Sequence, residues 1–274
     1  MMMANLLQNL RYALRQLRKS PGFTITALLT LALGIGANTA IFTVVYATLL
    51  APMPYPEPDQ LVMVWSKIQT FHNGVSAGDF DDWRNQSTSF QALNAWTGGS
   101  FNLATKDKPE YVEGQRTTPG MYKMMGVKFQ LGRDFLPEEG TLGKEHVVVL
   151  LNKLWKRLGS DPNVIGKQIR IDGEPYTVVG VLAPGVTDRL DQNLVVPLAF
   201  KPEQLNHDFH WLLVMGRLKP GVTIKQAQAN MDGVTANIAK AYPKSDKGWD
   251  SFVEPLKNDF LPKERIQTLW YLLG

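Results

Sequence analysis

The sequence predicts an α+β protein held in a membrane by a single N-terminal helix. Three observations carry this reading. From Ser20 to Pro56 there is no Asp, Glu, Lys or Arg. Beyond that run, short strand-like apolar segments alternate with helix-like ones. Among them, Asp172-Gly173 stands between two alternating apolar stretches, a strong hairpin signal.

Residues 1–20 form the first element. Leu6, Leu7, Leu10, Leu14 and Leu17 follow a helical period, and Arg11, Arg15 and Arg18 fall on another face. This is the pattern of a basic amphipathic helix lying on the cytoplasmic face of a lipid bilayer. Ser20-Pro21-Gly22 supplies a corner into the next element.

Residues 21–51 form that element. Phe23 to Ala51 is almost unbroken apolar sequence, and a membrane span needs about 20 such residues. As a helix it would reach about 43 Å, longer than a hydrocarbon core of about 30 Å. It therefore tilts or continues as a stalk. A cleaved signal peptide has an apolar core of about 7–15 residues followed by a small-x-small site. This run is about twice as long as such a core, and Tyr46 to Ala51 offers no such site. Its length also argues against the buried helix of a soluble protein. The run ends in the linker 52–60, where Pro52, Pro54, Pro56 and Pro58 lack the N–H that a helix interior needs.

Arg11, Arg15, Arg18 and Lys19 precede the run without an acid among them, and Glu57 and Asp59 follow it. Basic flanks stay in the cytoplasm, so these four residues set the topology. The N-terminus is expected inside and everything after Pro52 outside the cytoplasm. Within the run, Ala32, Gly36 and Ala40 repeat at four-residue spacing, as do Thr39, Thr43 and Ala47. Small-xxx-small stripes let helices approach closely in lipid, and the amide of Asn38 seeks a partner there. Ala32, Gly36, Asn38, Thr39, Ala40 and Thr43 are the expected packing surface toward other membrane helices.

The formal net charge is +4. The four basic residues before the run account for all of it, because beyond them Lys and Arg equal Asp and Glu in number. The outer region is neutral and carries no nucleic-acid footprint. The chain has no cysteine, which excludes disulfides, thiolate metal sites and thiol catalysis.

In the outer region, strands are predicted at 61–66, 100–104, 111–118, 147–151, 194–197, 211–218 and 251–256. The hairpin 168–171 and 175–182 adds two more. Helices are predicted at 79–85, 120–125, 152–158 and 224–242. In the last of these, Ala227, Met231, Val234, Ile238 and Ala241 form one stripe. The order gives two strand–helix–strand units at about 60–118 and 210–257, separated by a β-rich segment. They are expected to build one mixed sheet with helices on one face.

Four stretches resemble a known family. They are Ala32-Leu-Gly-Ile-Gly-Ala-Asn-Thr-Ala-Ile-Phe42 and Pro54-Tyr-Pro-Glu-Pro-Asp-Gln-Leu61, then Gly166-Lys-Gln-Ile-Arg-Ile-Asp-Gly173 with Tyr176-Thr-Val-Val-Gly-Val-Leu182, and Arg217-Leu-Lys-Pro-Gly-Val222. The chain resembles the first membrane helix and extracytoplasmic core domain of MacB/FtsX-like ABC transporter permeases, especially large permeases carrying two such modules. The resemblance implies a porter-like βαβ/βαβ domain, at 61–125 and 205–260, with an inserted β-rich subdomain at 126–204. It implies a cytoplasmic ABC ATPase subunit, a second permease half or homodimer, and a periplasmic adaptor as partners, at a bacterial inner membrane. It implies no cofactor and no catalytic residues. Some relatives carry an ATPase domain fused ahead of the first helix; here the ATPase is expected to be separate. Ile266 to Gly274 turns apolar, so 261–274 is expected to begin a second membrane helix of a longer protein.

A search for chemistry in the residues finds little. Asp161-Pro-Asn-Val-Ile-Gly166-Lys167-Gln168 departs from a phosphate-binding loop at both its first and last defining positions. His207 and His210 flank Asp208, but three residues is not the helical spacing of a zinc pair, and they are expected to be incidental loop histidines. Asp79, Asp81 and Asp82 suit a helix N-terminus. Glu138 and Glu139 are expected to be solvated, and Trp65, Trp83, Trp96, Trp155 and Trp211 to pack in the core. No enzyme is expected. The reading is a permease subunit whose outer domain transmits ATPase-driven motion for export or envelope remodelling. A sensor domain of a two-helix membrane receptor is the alternative.

Overall fold

The computed structural model describes residues 2–46, 53–104, 109–185 and 192–260. The expected start of a second membrane helix, at 261–274, lies outside them.

Among the described residues, two helices make up the N-terminal unit. Helix α1 (Met2–Lys19) stops at Ser20, and α2 (Pro21–Val45) begins with Pro21 in its first turn. A proline is tolerated there because the N–H it lacks has no helical partner. The corner is tied by Thr24, whose hydroxyl donates to Leu17 O at 2.7 Å and Ser20 O at 3.0 Å. Residues Pro21–Thr43 are long and apolar enough to cross a membrane.

Residues 53–260 form a second unit. It contains β1 (Leu61–Ile68), β2 (Phe71–Asn73), β3 (Val75–Ser76), α3 (Ala77–Gln86), β4 (Phe90–Ala104) and β5 (Pro109–Thr117). Then come α4 (Met121–Met125), β6 (Phe129–Gly132), β7 (Val147–Leu150), α5 (Asn152–Arg157), β8 (Gln168–Ile171), β9 (Glu174–Leu182) and β10 (Leu194–Pro197). The unit closes with β11 (His210–Leu218), α6 (Ile224–Ala241), β12 (Trp249–Pro255) and α7 (Leu256–Phe260). Among the described residues the strands join one sheet with the path β12-β1-β11-β4-β5-β10-β7-β9-β6.

The predicted strand–helix–strand units β1-α3-β4 and β11-α6-β12 are present, and they interleave. β11 lies between β1 and β4, and β1 lies between β11 and β12. All three of these pairings are antiparallel. The sheet is mixed as expected, but these four strands are antiparallel throughout: the two strands of a unit run the same way but are never neighbours. Parallel pairing occurs farther along, at β5–β10 and β7–β9.

The four strands are covered on both faces, which explains why residues 61–64 read as continuous apolar sequence. Val62, Val64, Leu212 and Val214 face α3 and α6 through Phe80, Trp83, Ala227, Met231 and Ile238. Leu61, Met63, Leu213 and Met215 point the other way, toward α4 and α7. Helices were expected on one face only; α4 and α7 occupy the second.

Helix α6 opens with a reciprocal cap in which Thr223 Oγ1 accepts from Gln226 N and the Gln226 side chain accepts from Thr223 N. The hairpin β8–β9 turns at Asp172 (φ 52°) and Gly173 (φ 86°), the left-handed pair that a two-residue turn requires. Strand β4 starts ten residues before its predicted onset, and β2, β3 and β6 were not predicted.

Candidate functional site

On the α4/α7 face, the start of the domain and its end rest on one apolar seat. Met53 and Tyr55, from the linker, pack against Leu61, Met63, Met121, Met124, Met125, Met215 and Leu256. Six of the chain's ten methionines gather here. Unbranched thioether side chains fill irregular gaps in such a seat.

Arg217 locks the linker onto this seat. The alternation along β11 puts it on the face of Leu213 and Met215, where its side chain is only 10% exposed. Its Nε donates to Met124 O at 2.7 Å and its Nη2 to Pro56 O at 3.1 Å. Its Nη1 reaches Glu57 O at 3.4 Å and Gln60 Oε1 at 3.5 Å. The Glu57 carboxylate stands 3.9 Å away and is mostly exposed. The cation is thus held by carbonyl dipoles from two segments rather than by a close counter-ion. Glu57 itself adopts a left-handed backbone (φ 46°), and Gly126 (φ 71°) permits the contact, because a Cβ there would come 2.7 Å from Pro56 Cγ.

On the opposite face, at the other end of β11, a second buried cluster forms. Asp79, in the first turn of α3, is 4% exposed. His210 Nε2 lies 3.6 Å from Asp79 Oδ2; His207 Nε2 lies 3.9 Å from Asp79 Oδ1 and 3.1 Å from Asp82 Oδ2. The rings stack on neighbours, His207 on Tyr242 at 3.8 Å and His210 on Trp249 at 4.0 Å. Burial, then the nearby charge of Asp246, push the Asp79 carboxyl up to about 8. Burial also holds the His210 imidazole below its ordinary value. Asp79 Oδ1, Trp83 Nε1, His210 Nε2 and Ser251 Oγ are buried without hydrogen-bond partners. The cluster joins α3, the segment before β11 and the segment after α6.

Several expectations change here. His207 and His210, expected as incidental loop residues, join this buried cluster; Asp79 lies in the first turn of α3 as expected but is buried, while Asp81 is exposed. Glu139 is 7% exposed and clamped by both Arg133 guanidinium nitrogens, at 2.7 and 2.9 Å, while Glu138 is exposed. Trp83 and Trp155 are buried; Trp65, Trp96 and Trp211 are partly buried against core clusters. Residues 161–167 form the turns that lead into β8, in which Lys167 pairs with Asp161.

The packing residues expected in the membrane segment all lie on α2. Thr39 and Thr43 satisfy their hydroxyls within the helix, donating to Ile35 O and Thr39 O at 2.7 Å. Among the described residues nothing contacts an added Cβ at Gly36, and the Asn38 amide has no hydrogen-bond partner. Arg11, Arg15, Arg18 and Lys19 are exposed along α1.

A model of the MacB-like periplasmic core domain matches residues 24–234. The chain belongs to this family. Three solved structures share the fold of the MacB-like core. A domain of a protein described as a permease, from Porphyromonas gingivalis, aligns with TM-score 0.58 and 16% identity over 75% of this chain and 93% of its own. The periplasmic region of MacB from Actinobacillus actinomycetemcomitans gives 0.55 and 16%, over 76% and 92%. The extracellular domain of the noncanonic ABC-type transporter YknZ from Gram-positive bacteria gives 0.52 and 12%, over 70% and 99%. No curated protein matches the sequence. Family membership makes this a permease-type subunit with an extracytoplasmic domain.

The match to the MacB-like core includes Arg217, Asp79, His207 and His210 and stops before Asp246 and Trp249. Sequence reasoning quoted Arg217 only as part of a signature. Its signal was available, since it is a lone cation at a strand position whose face otherwise carries Leu213 and Met215.

Proposed function

We propose that the chain is the permease subunit of an ABC-type machine, with α1 on the cytoplasmic surface of a bacterial inner membrane and the sheet domain outside it. A cytoplasmic ATPase moves α2, and the outer domain carries the displacement to an export or envelope-remodelling partner. A second permease half, or a second copy, completes the machine, and a periplasmic adaptor extends it. The stripe Ala32–Gly36–Ala40 with Asn38 is the surface α2 offers to other membrane helices. The outer region supplies neither the loop nor the charge for nucleotide chemistry, so ATP hydrolysis belongs to the partner.

One observation supports this reading most strongly. Arg217 fastens residues 56, 57 and 60 to the carbonyl of Met124, so a pull on the linker is borne by α4 and β11 together. Reconstitution with the ATPase and distance measurement between labels on paired outer domains tests it. ATP should change the distance in the wild type, and Arg217→Met should keep ATP hydrolysis while losing the change. An ATP-independent distance in the wild type would refute the reading. A reporter fused after Pro58 should be active only outside the cytoplasm, and Gly36→Leu should reduce co-purification with the partner half.

A further inference from the structure

Two cavities open beside the seat, of about 700 and 510 Å³. Arg84, Pro119, Gly120 and Lys123 line both, so they meet at a common wall. The combined space is within or above the range of about 300–1,000 Å³ that small-molecule sites occupy.

The charges around this wall do not balance. Arg217 is taken up by carbonyl oxygens, and Arg133 is paired with Glu139. Asp134 accepts the N–H of Lys123 and of Phe135. Among the described residues Arg84 has only the face of the Phe80 ring, 5.6 Å away. Neither Arg84 nor the Lys123 ammonium has a carboxylate within ion-pair distance among the described residues. Arg84 and Lys123, both exposed, therefore stand without an ion-pair partner where the cavities join, with Glu57 on the wall of the larger and Asp134 on that of the smaller. On either side apolar side chains contribute to the walls, Phe90, Leu93 and Met124 among the polar Ser87, Gln91 and Asn94 in the larger cavity, and Phe135, Leu198 and Phe200 in the smaller.

We infer that this cleft binds an anionic single-chain amphiphile. Its phosphate or carboxylate head lies between Arg84 and Lys123, and its hydrocarbon lies on Phe90, Leu93 and Met124. The guanidinium offers paired N–H donors to an oxyanion, and the ammonium a point charge beside them. The larger cavity is also walled by Pro56 and Glu57, so an occupant touches the linker that Arg217 fastens. The inference stands without the transport reading.

Octyl phosphate is the probe, titrated calorimetrically into the full chain in phosphatidylcholine nanodiscs, with empty nanodiscs subtracted. Saturable binding of one molecule per chain is expected. Octanol and inorganic phosphate should each bind at least tenfold more weakly. Equal affinity for inorganic phosphate would overturn the hydrocarbon half of the site, and equal affinity for octanol the anionic half. Arg84→Gln combined with Lys123→Gln should weaken binding at least tenfold. Gln91→Trp, at an exposed position on the cavity wall, should do the same without altering a charge. Undiminished binding in these variants, or loss instead in Arg11→Gln/Arg15→Gln, would place the amphiphile elsewhere and overturn the proposal.

Discussion

At one end of β11, backbone carbonyls and a glutamine oxygen surround the Arg217 guanidinium in a nearly dry site. At the other end, His210 and its neighbour Asp79 are drawn toward their neutral forms, and both retain a buried atom without a partner. Arg217 and Asp79 are both buried, on opposite faces of one sheet. The difference between them is hydrogen bonding. Fixed dipoles aimed at a charge replace the water it lost, whereas a carboxylate facing another carboxylate loses hydration and gains repulsion. The seat is thus built to hold, and the Asp79 cluster is built to respond to protons.

The most severe way to break the contrast is Arg217→Met. It would leave the carbonyls of Pro56 and Met124 without their donor and should lower unfolding stability by about 3 kcal/mol. Urea unfolding of the full chain in detergent measures this. Arg217→Lys should recover part of the loss, since charge remains and the fork does not. Gly78→Ala strikes the other cluster through packing. Its Cβ would meet the His207 ring at 2.8 Å and the Asn206 carbonyl carbon at 2.9 Å, for a loss of about 1–3 kcal/mol in the same experiment.

A gentler change sharpens the electrostatic side. Asp79 titrates near 8 when folded and at its ordinary low value when unfolded. The folded state therefore binds the extra proton, and its stability falls as pH rises toward 8. Thermal melts between pH 6.5 and 8 should show this decline, and Asp79→Asn should flatten it. The variant should gain on the order of 1 kcal/mol across the window, about 2–4 °C in Tm. Asp134 and Asp259, also raised by burial, keep their slopes in both proteins. Below about 6.5 the sign reverses for His210, whose depressed value makes protonation favour the unfolded chain. The smallest effect belongs to Glu57→Gln. Because carbonyls hold Arg217 and Glu57 is mostly exposed, the loss should stay under about 0.5 kcal/mol. A larger one would make the seat an ion pair after all.

Much of the fold was legible where a local rule sufficed. The Asp172-Gly173 turn, strand 194–197 and the Thr223-capped helix all appear where periodicity and turn chemistry put them. The first ten residues of β4 were not legible. Phe90-Gln-Ala-Leu-Asn-Ala-Trp-Thr-Gly-Gly alternates poorly, and its strand conformation comes from pairing with β11 and β5. The same limit hid the two clusters. Asp79 and Asp246 are far apart in sequence, and nothing near either one announces the other.

By itself the sequence determined the apolar helix, the basic residues before it, the neutral outer domain and the family signatures, because length, charge and short-range periodicity are properties of contiguous residues. Only the tertiary structure decided which face of β11 Arg217 occupies and which carbonyls receive it. It also brought a carboxylate and two imidazoles from separate segments under one roof. Those outcomes depend on strand order, and strand order is settled by burying both faces of the sheet at once rather than by any one stretch of chain.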